Sequence, residues 1–311
     1  MIITKRSVKD CRKPKFIGER IRGFFDLMRP FTLLGGLTAG FFLTMLGAKV
    51  YGVPFDFSLA LFVGVILGLL QGASQTLNQS IQEELEIDKI SGKAKYRPTG
   101  RGIISLNEGK IFATILYVAA IACAFFIKPL FGVFTSIIAF FGVFYTIPPI
   151  RAKRFFLVNN MWQGIARGML PIFAVFSIFG NPFTSFSIAL ASVIGMWMVG
   201  AQASKDYGSD IKGDSLYGIQ TFFVRLSENQ AFELMGVFTG AAFILLIIFT
   251  WLNLLPHIFL LMLILIIPSF LILYFLKNNC VAPLLENNLG WISMYLTLAL
   301  WYILPALIFY L

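Results

Sequence analysis

The chain has 311 residues, 58% of them hydrophobic and 13% charged, with a formal net charge of +10, and its mean hydropathy is +0.82. Soluble domains are nearer half apolar and a quarter charged, so the composition excludes a soluble globular protein and fits a polytopic membrane protein in which one helical bundle absorbs most of the length. Cys11, Cys123 and Cys280 lie far apart and are odd in number, which argues against both a metal-ligand motif and a disulfide framework.

Residues 1–30 form a basic arm with nine Lys/Arg: Lys5, Arg6, Lys9, Arg12, Lys13, Lys15, Arg20, Arg22 and Arg29. Such an arm beside a first membrane span is expected in the cytoplasm against anionic lipid; nucleic acid is not expected as a partner. It is too long and too charged for a typical signal peptide.

Residues 31–311 read as a transmembrane domain. Nine apolar runs of bilayer-spanning length follow one another, at about 31–50, 58–79, 110–128, 130–148, 159–180, 183–203, 231–252, 256–277 and 289–311. The expected fold is therefore all-α, with nine helices in a single bundle. Only Lys128 and Pro129 mark the third boundary between helices three and four.

Charge sets the expected orientation. The arm, the loop after the second helix (Lys89, Lys93, Lys95, Arg97, Arg101, Lys110), the loop after the fourth (Arg151, Lys153, Arg154) and the end of the sixth with its loop (Lys205, Lys212, Arg225) share one side. Lys49, Lys128 and Lys277 lie on the other. The rich side is expected to be cytoplasmic, which puts the N-terminus inside and the C-terminus outside. Arg167 falls within the fifth helix, where an arginine normally faces a cavity or a partner.

Three stretches on the cytoplasmic side carry chemistry. In the second helix Gln71, Gln75, Asn78 and Gln82 form one polar stripe, with Gly64, Gly68 and Gly72 on an adjacent face. The stripe runs into Glu83, Glu84, Glu86 and Asp88. After the fourth helix comes Tyr145-Thr146-Ile147-Pro148-Pro149-Ile150-Arg151-Ala152-Lys153-Arg154. At the end of the sixth, Asp206, Asp210 and Asp214 are spaced to share one face of a continuous helix. Taken singly, the acidic stretches also read as solvated loops and the basic one as a topology anchor. Together they point to a polyphosphate site, with a hard divalent cation held by carboxylate oxygens on one flank of the anion and Lys/Arg on the other. Two acidic clusters four helices apart also hint at a duplicated four-helix unit.

These residues resemble the UbiA superfamily of intramembrane prenyltransferases, most of all its homogentisate prenyltransferase and chlorophyll synthase branch. The likeness is carried by Lys205-Asp206 with Asp210, Gly213-Asp214, Gly218-Ile219-Gln220 and Val224-Arg225-Leu226. It extends to Tyr145 through Arg151 with Lys153-Arg154, to Asn78-Gln79, Glu86-Ile87-Asp88-Lys89-Ile90 and Tyr96-Arg97-Pro98, and to Arg29-Pro30. It covers nearly the whole chain from about residue 24.

The resemblance implies transfer of a prenyl group from a prenyl diphosphate to a lipophilic acceptor with Mg²⁺, at a site on the cytoplasmic face of the cell membrane. It implies metal ligands Asn78, Glu84, Asp88, Asp206 and Asp210, with Asp210 also in a catalytic role. Arg97, Lys153, Arg154 and Lys205 would face the diphosphate, and Tyr145 the reacting carbon. The branch suggests an aromatic acceptor of quinone or chlorin type; a digeranylgeranylglyceryl phosphate synthase-type lipid acceptor is the alternative. The first acidic motif departs from the family pattern by about two extra residues after Asn78. Two registers follow, Asn78/Gln82/Glu86 on a straight helix or Asn78/Glu84/Asp88, and the second is preferred because its acids keep the branch's spacing; Gln82, Glu86 and Asp214 are then outer or alternative ligands. The altered motif also admits a catalytically silent homologue. A transporter would place its charges at mid-membrane, whereas here they sit at helix ends on one side.

Overall fold

The computed structural model describes residues 17–282 and 287–310; most of the basic arm, with Cys11, lies outside them. A short amphipathic helix, α1 (Ile17–Leu27), precedes the first span. Arg29, held at φ 53°, then turns the chain into α2 (Pro30–Val50), whose proline sits in the first turn where its missing N–H costs nothing. Asp56 opens α3 (Phe57–Gln79) by accepting from the Ser58 and Leu59 amides at 2.8 and 3.1 Å. A separate helix, α4 (Gln82–Ile90), follows it. A reciprocal capping box between Ser105 and Glu108 starts α5 (Leu106–Ile127), and extended Lys128 separates it from α6 (Pro129–Thr146).

Next come α7 (Val158–Phe179) and α8 (Ser185–Asp206), the latter ending in a 3₁₀ turn. Two short helices, α9 (Asp210–Leu216) and α10 (Phe222–Arg225), lead to α11 (Glu228–Trp251), α12 (His257–Lys277) and α13 (Leu289–Ile308). Between α12 and α13 Val281–Ala282 (β1) pairs antiparallel with Asn287–Asn288 (β2).

Among the described residues nine helices are long and apolar enough to cross a membrane: α2, α3, α5, α6, α7, α8, α11, α12 and α13. The fold is therefore the expected all-α bundle, and the protein is an integral membrane protein. Leu61, Ile111, Phe126, Ile247 and Ile267 stand exposed on the outer surface, as a lipid-facing surface requires. Inside, Trp197 and Trp301 are fully buried with rings 6.0 Å apart, and the Trp197 indole donates to Ser269 Oγ at 2.9 Å. Lipid tails are as apolar as leucine, so close packing has to hold such helices together. At Gly40 of α2 an added Cβ would come within 2.5 Å of the Gly64 backbone of α3, and at Gly168 of α7 within 2.5 Å of Gly195 of α8.

Both acidic stretches depart from a straight helix, the first as its preferred register implies and the second against the expectation of one continuous helix. α3 stops at Gln79; Ser80 turns its hydroxyl back onto the Thr76 carbonyl and Ile81 is extended. Likewise α8 ends at Asp206, and Gly208, at φ 85°, reverses the chain into α9. Asp206, Asp210 and Asp214 therefore do not share one face of one helix. They meet because α9 folds back over the end of α8.

Candidate active site

A polar cavity of about 770 Å³ lies at the ends of these helices. Its wall contains five carboxylates (Glu84, Asp88, Asp206, Asp210, Asp214) and six cations (Arg29, Lys93, Arg97, Lys153, Arg167, Lys205). An apolar chamber of about 630 Å³, lined by residues such as Ala39, Leu67, Leu70, Phe141 and Leu298, adjoins it; Ser74, Gln163, Arg167 and Tyr295 border both.

The break after Gln79 sets the first acidic cluster. In α4, Glu84, Ile87 and Asp88 form the buried face. Glu84 and Asp88, four residues apart, turn inward beneath Asn78, whose amide donates to Glu84 at 3.5 Å and to Thr146 Oγ1 at 3.3 Å. Gln82 and Glu86 point the other way: Gln82 Nε2 and Lys89 Nζ each donate to Glu86 Oε1 at 2.9 Å on the exposed side. Neither Gln82 nor Glu86 of the straight-helix register Asn78/Gln82/Glu86 lines the cavity, whereas Asn78, Glu84 and Asp88 do.

The second cluster is pressed against the first. Gly213 allows this approach: a Cβ there would lie 2.9 Å from Ile87 Cγ2 of α4. Asp210 and Asp88 then face one cavity. The loop after α4 doubles back and delivers two cations, Lys93 Nζ to Asp210 at 2.6 Å and Arg97 to Asp88 at 2.5 Å. Lys153 pairs with Glu84, and Lys205 with Asp206. Tyr145 donates to Asn159 Oδ1 at 2.7 Å, Asn159 donates to Asp206 at 3.4 Å, and the Lys205 ammonium stands 5.7 Å from the Tyr145 ring.

Asn78, Glu84, Asp88, Asp206, Asp210, Asp214, Arg97, Lys153, Lys205 and Tyr145 are therefore brought together. Arg154 is not. Successive residues of the 3₁₀ turn Ala152–Arg154 point in different directions, so Lys153 is buried in the wall while Arg154 is exposed. In its place the neighbouring Arg151 is buried and pairs with Glu83, with Glu84 at 3.8 Å. Lys93, in sequence only one of several topology charges, also lines the cavity, as do Gln163, Gln202 and Trp291, which no sequence motif singles out. Gln202 Oε1 is buried without a hydrogen-bond partner among the described residues.

Electrostatics differ from acid to acid. Burial pushes the Asp88 carboxyl up to about 6, against the opposing pull of Arg97. Burial, reinforced by the Asp206 charge, pushes Asp214 up to about 7. At Asp210 burial acts in the same sense, but Lys93 and Arg97 outweigh it and hold the carboxyl below its ordinary value.

The donor set suits Mg²⁺. It is all oxygen, and the single histidine, His257, begins α12 away from the cavity. Among the described residues no three acids, histidines or cysteines converge into a cage. Six cations against five carboxylates leave the wall near neutrality. A diphosphate alone would make it strongly negative, and a divalent cation entering with it restores the balance.

Fold and site together define an intramembrane enzyme for amphipathic phosphate esters, with charged recognition at one membrane face and an apolar chamber behind it. The chain belongs to the UbiA prenyltransferase family, whose model matches residues 37–280, and it is by class a prenyltransferase. It is 27% identical over 222 residues to the homogentisate phytyltransferase of Synechocystis sp., covering 68% of this chain and 71% of that one. It is 26% identical over 185 residues to the bacteriochlorophyll synthase 34 kDa chain of Chloroflexus aurantiacus, covering 59% and 58%. In structure it is similar to a UbiA homologue from Archaeoglobus fulgidus bound to GPP and Mg²⁺, with a TM-score of 0.63 at 16% identity over 94% of this chain and all of that one. It is also similar to a digeranylgeranylglyceryl phosphate synthase, with a TM-score of 0.59 at 20% identity over 93% of this chain and 99% of that one.

Proposed function

We propose that this protein transfers a prenyl group from a prenyl diphosphate to an aromatic acceptor of quinone or chlorin type, with Mg²⁺, at the cytoplasmic face of the cell membrane. The observation that carries the reading is the adjacency of two unlike spaces, a cavity of paired carboxylates and cations and an apolar chamber, which share four lining residues. The first suits a metal-bound diphosphate and the second a hydrocarbon chain. The junction between them is where the allylic carbon would lie.

When bound, Mg²⁺ would supply Lewis-acid stabilisation of the leaving diphosphate. Asn78, Glu84 and Asp88 on one side and Asp206 and Asp210 on the other would hold it, with Asp214 beside them. Lys93, Arg97, Lys153 and Lys205 would take up the charge that develops on the phosphate oxygens. The C–O bond breaks with its electron pair leaving on diphosphate, the allylic carbon bonds to the acceptor, and the acceptor gives up a proton. Tyr145, its hydroxyl anchored through Asn159 to Asp206, presents a π face suited to the allylic cation. The apolar walls keep water from capturing that cation.

The test is purified protein with Mg²⁺, labelled geranylgeranyl diphosphate and homogentisate. Release of diphosphate and a prenylated ring, both dependent on acceptor and metal, supports the reading. No release with any aromatic acceptor overturns it in favour of the silent homologue, which the ion-paired state of Glu84 and Asp88 favours.

A further inference from the structure

We infer that α1 is an interfacial helix that docks on an anionic phospholipid surface, and that this docking holds in place the loop which carries Lys93 and Arg97 into the cavity.

The 11 residues of α1 divide into three strips. Gly23, Phe24 and Leu27 face the protein: Gly23 and Leu27 are buried, and the Phe24 ring stands 5.0 Å from that of Phe112 in α5. Ile17, Ile21 and Phe25 follow one another four residues apart and are 80%, 66% and 55% exposed. Glu19, Arg22 and Asp26 make the third strip, and the Arg22 side chain is 82% exposed. A helix this short is marginal in water unless tertiary contacts cover its apolar side. Here the exposed strip continues a lipid-facing surface. An apolar groove between α1 and α5 is lined by Ile21, Phe24, Ile111, Phe112 and Ile115, with Glu108, and Ile111 and Ile115 stand exposed within a membrane span. Only Met28 and Arg29 separate α1 from α2, so α1 lies at the level where the first span enters the bilayer.

Charge beside this strip selects the lipid. Arg22 of α1 and Lys110, next to Ile111 in α5, are both exposed. Residues 1–16, which lead into α1, contain six Lys/Arg against one acid, Asp10. Acyl chains suit the apolar strip and its groove, and anionic headgroups suit cations at their edge. The protein-facing strip leads from there to the site. A Cβ at Gly23 would lie 3.1 Å from Ile103 Cγ2 and 3.2 Å from Ile104 Cγ1. Leu27 forms a small buried cluster with the same two isoleucines, and Glu19 pairs with Arg101 at 3.7 Å. The Ile103 and Ile104 amides both donate to the Pro98 carbonyl, at 3.0 and 3.4 Å, and the Arg101 amide donates to the Arg97 carbonyl at 2.9 Å. Arg97 in turn reaches Asp88, and Lys93 reaches Asp210. Lipid holds α1, α1 holds this turn, and the turn holds two cations of the cavity wall.

The full-length protein is placed in nanodiscs of phosphatidylcholine or of phosphatidylglycerol at equal ionic strength. Amide exchange over residues 94–104, read without substrate, is expected to be slower in the anionic discs by about fivefold, the scale of one basic residue held at an anionic surface. A spin label at Phe25→Cys, in a chain with Cys11, Cys123 and Cys280 replaced by alanine, should be relaxed by oxygen rather than by a water-soluble nickel chelate. Ile21→Ser together with Phe25→Ser alters only exposed side chains and should abolish the lipid effect on exchange. Arg22→Gln should weaken that effect and leave exchange in the neutral discs unchanged. Affinity for the unreactive geranylgeranyl thiolodiphosphate with Mg²⁺ should rise with the anionic lipid, whereas charge repulsion alone would lower it. This last readout alone rests on the proposed reaction: slowed exchange without any thiolodiphosphate binding would count against the reaction and for the docking. Equal exchange in the two discs overturns the inference. So does a label that the nickel chelate reaches, or one broadened by a second label, which would assign the strip to another copy of the chain.

Discussion

Asp206 and Asp210 approach the cavity from two different helices, and each is met by a lysine, Lys205 and Lys93 respectively. Asp206→Asn or Asp210→Asn removes a charge that would hold metal against the leaving group. Each should lower kcat by roughly 10²-fold or more, the scale of one lost electrostatic contact in a transition state. Glu84 and Glu86 offer an internal control two residues apart. Glu84 is buried against Lys153, whereas Glu86 bonds Gln82 and Lys89 in solvent. Glu84→Gln should be severe in single-turnover assays and Glu86→Gln nearly silent; the reverse order would restore the straight-helix register. Protons compete for the same oxygens. Asp88 and Asp214 lose theirs only near 6 and 7, against an ordinary 3.8, so Mg²⁺ affinity in the presence of thiolodiphosphate should fall as pH drops from 8 through 6. Calorimetry in buffers of different ionisation enthalpy should show protons released on binding. Folding stability carries the opposite sign. The metal-free protein binds more protons folded than unfolded between the ordinary and the raised values, so it should lose stability as pH rises through that window.

At the scale of elements, the site depends on how closely α9 lies on α4. Gly213→Ala would put a methyl 2.9 Å from Ile87 Cγ2, so α9 must lift and carry Asp210 and Asp214 with it. Turnover and Mg²⁺ affinity should fall while the melting temperature changes little, because both helices lie outside the membrane-spanning core. Ile87→Ala in the same chain, which removes Cγ2, should recover part of the loss, a coupling expected only for residues in contact. If the double variant is no better than Gly213→Ala, the helices are not held by this contact. The same closeness explains what could be read in advance. The nine spans were legible to within a few residues, because a run of about 20 apolar residues leaves the chain little choice. The third span begins at Leu106 rather than 110 because the Ser105–Glu108 capping box lets polar residues into its first turn. The breaks at Ser80 and Gly208 were not legible as breaks. At the first, Ser80 packs so closely on Gly109 of α5 that an added Cβ there would overlap Ser80 Oγ, a contact that local periodicity does not contain. Lys93 was missed for a similar reason: its role comes from a loop that folds back onto α9, and in sequence it is one of several lysines beside a span.

For the whole molecule, orientation is the property on which substrate access turns. Nine crossings put the two ends of the bundle on opposite sides, and both loops that build the cavity, the one through α4 and the one through α9, emerge on the same side. That side carries Arg20, Arg22 and Arg29 and nearly all the loop Lys/Arg; Lys277, at the end of the eighth span and 5.6 Å from the Phe232 ring near the start of α11, lies there too and not on the opposite side as expected from sequence, while Lys49 and Lys128 lie at the other ends of their spans. At the opposite face no carboxylate meets the lysines in these contacts: Lys128 Nζ donates to the Ile178 carbonyl at 2.9 Å and Lys49 stands 4.9 Å from the Tyr310 ring, while the Tyr51 hydroxyl donates to the Asn181 carbonyl. Basic residues flanking short loops resist translocation, and a water-soluble diphosphate head reaches the cavity only from the face where its loops lie. Reporter fusions within residues 90–105 and 207–228 should therefore report cytoplasm, and a fusion at the C-terminus the outside. A single cysteine placed at Arg154, the exposed end of the basic turn, should react with an impermeant maleimide in inverted vesicles and stay unlabelled in right-side-out ones. Labelling from outside would invert the bundle, and with it the compartment from which the diphosphate is drawn.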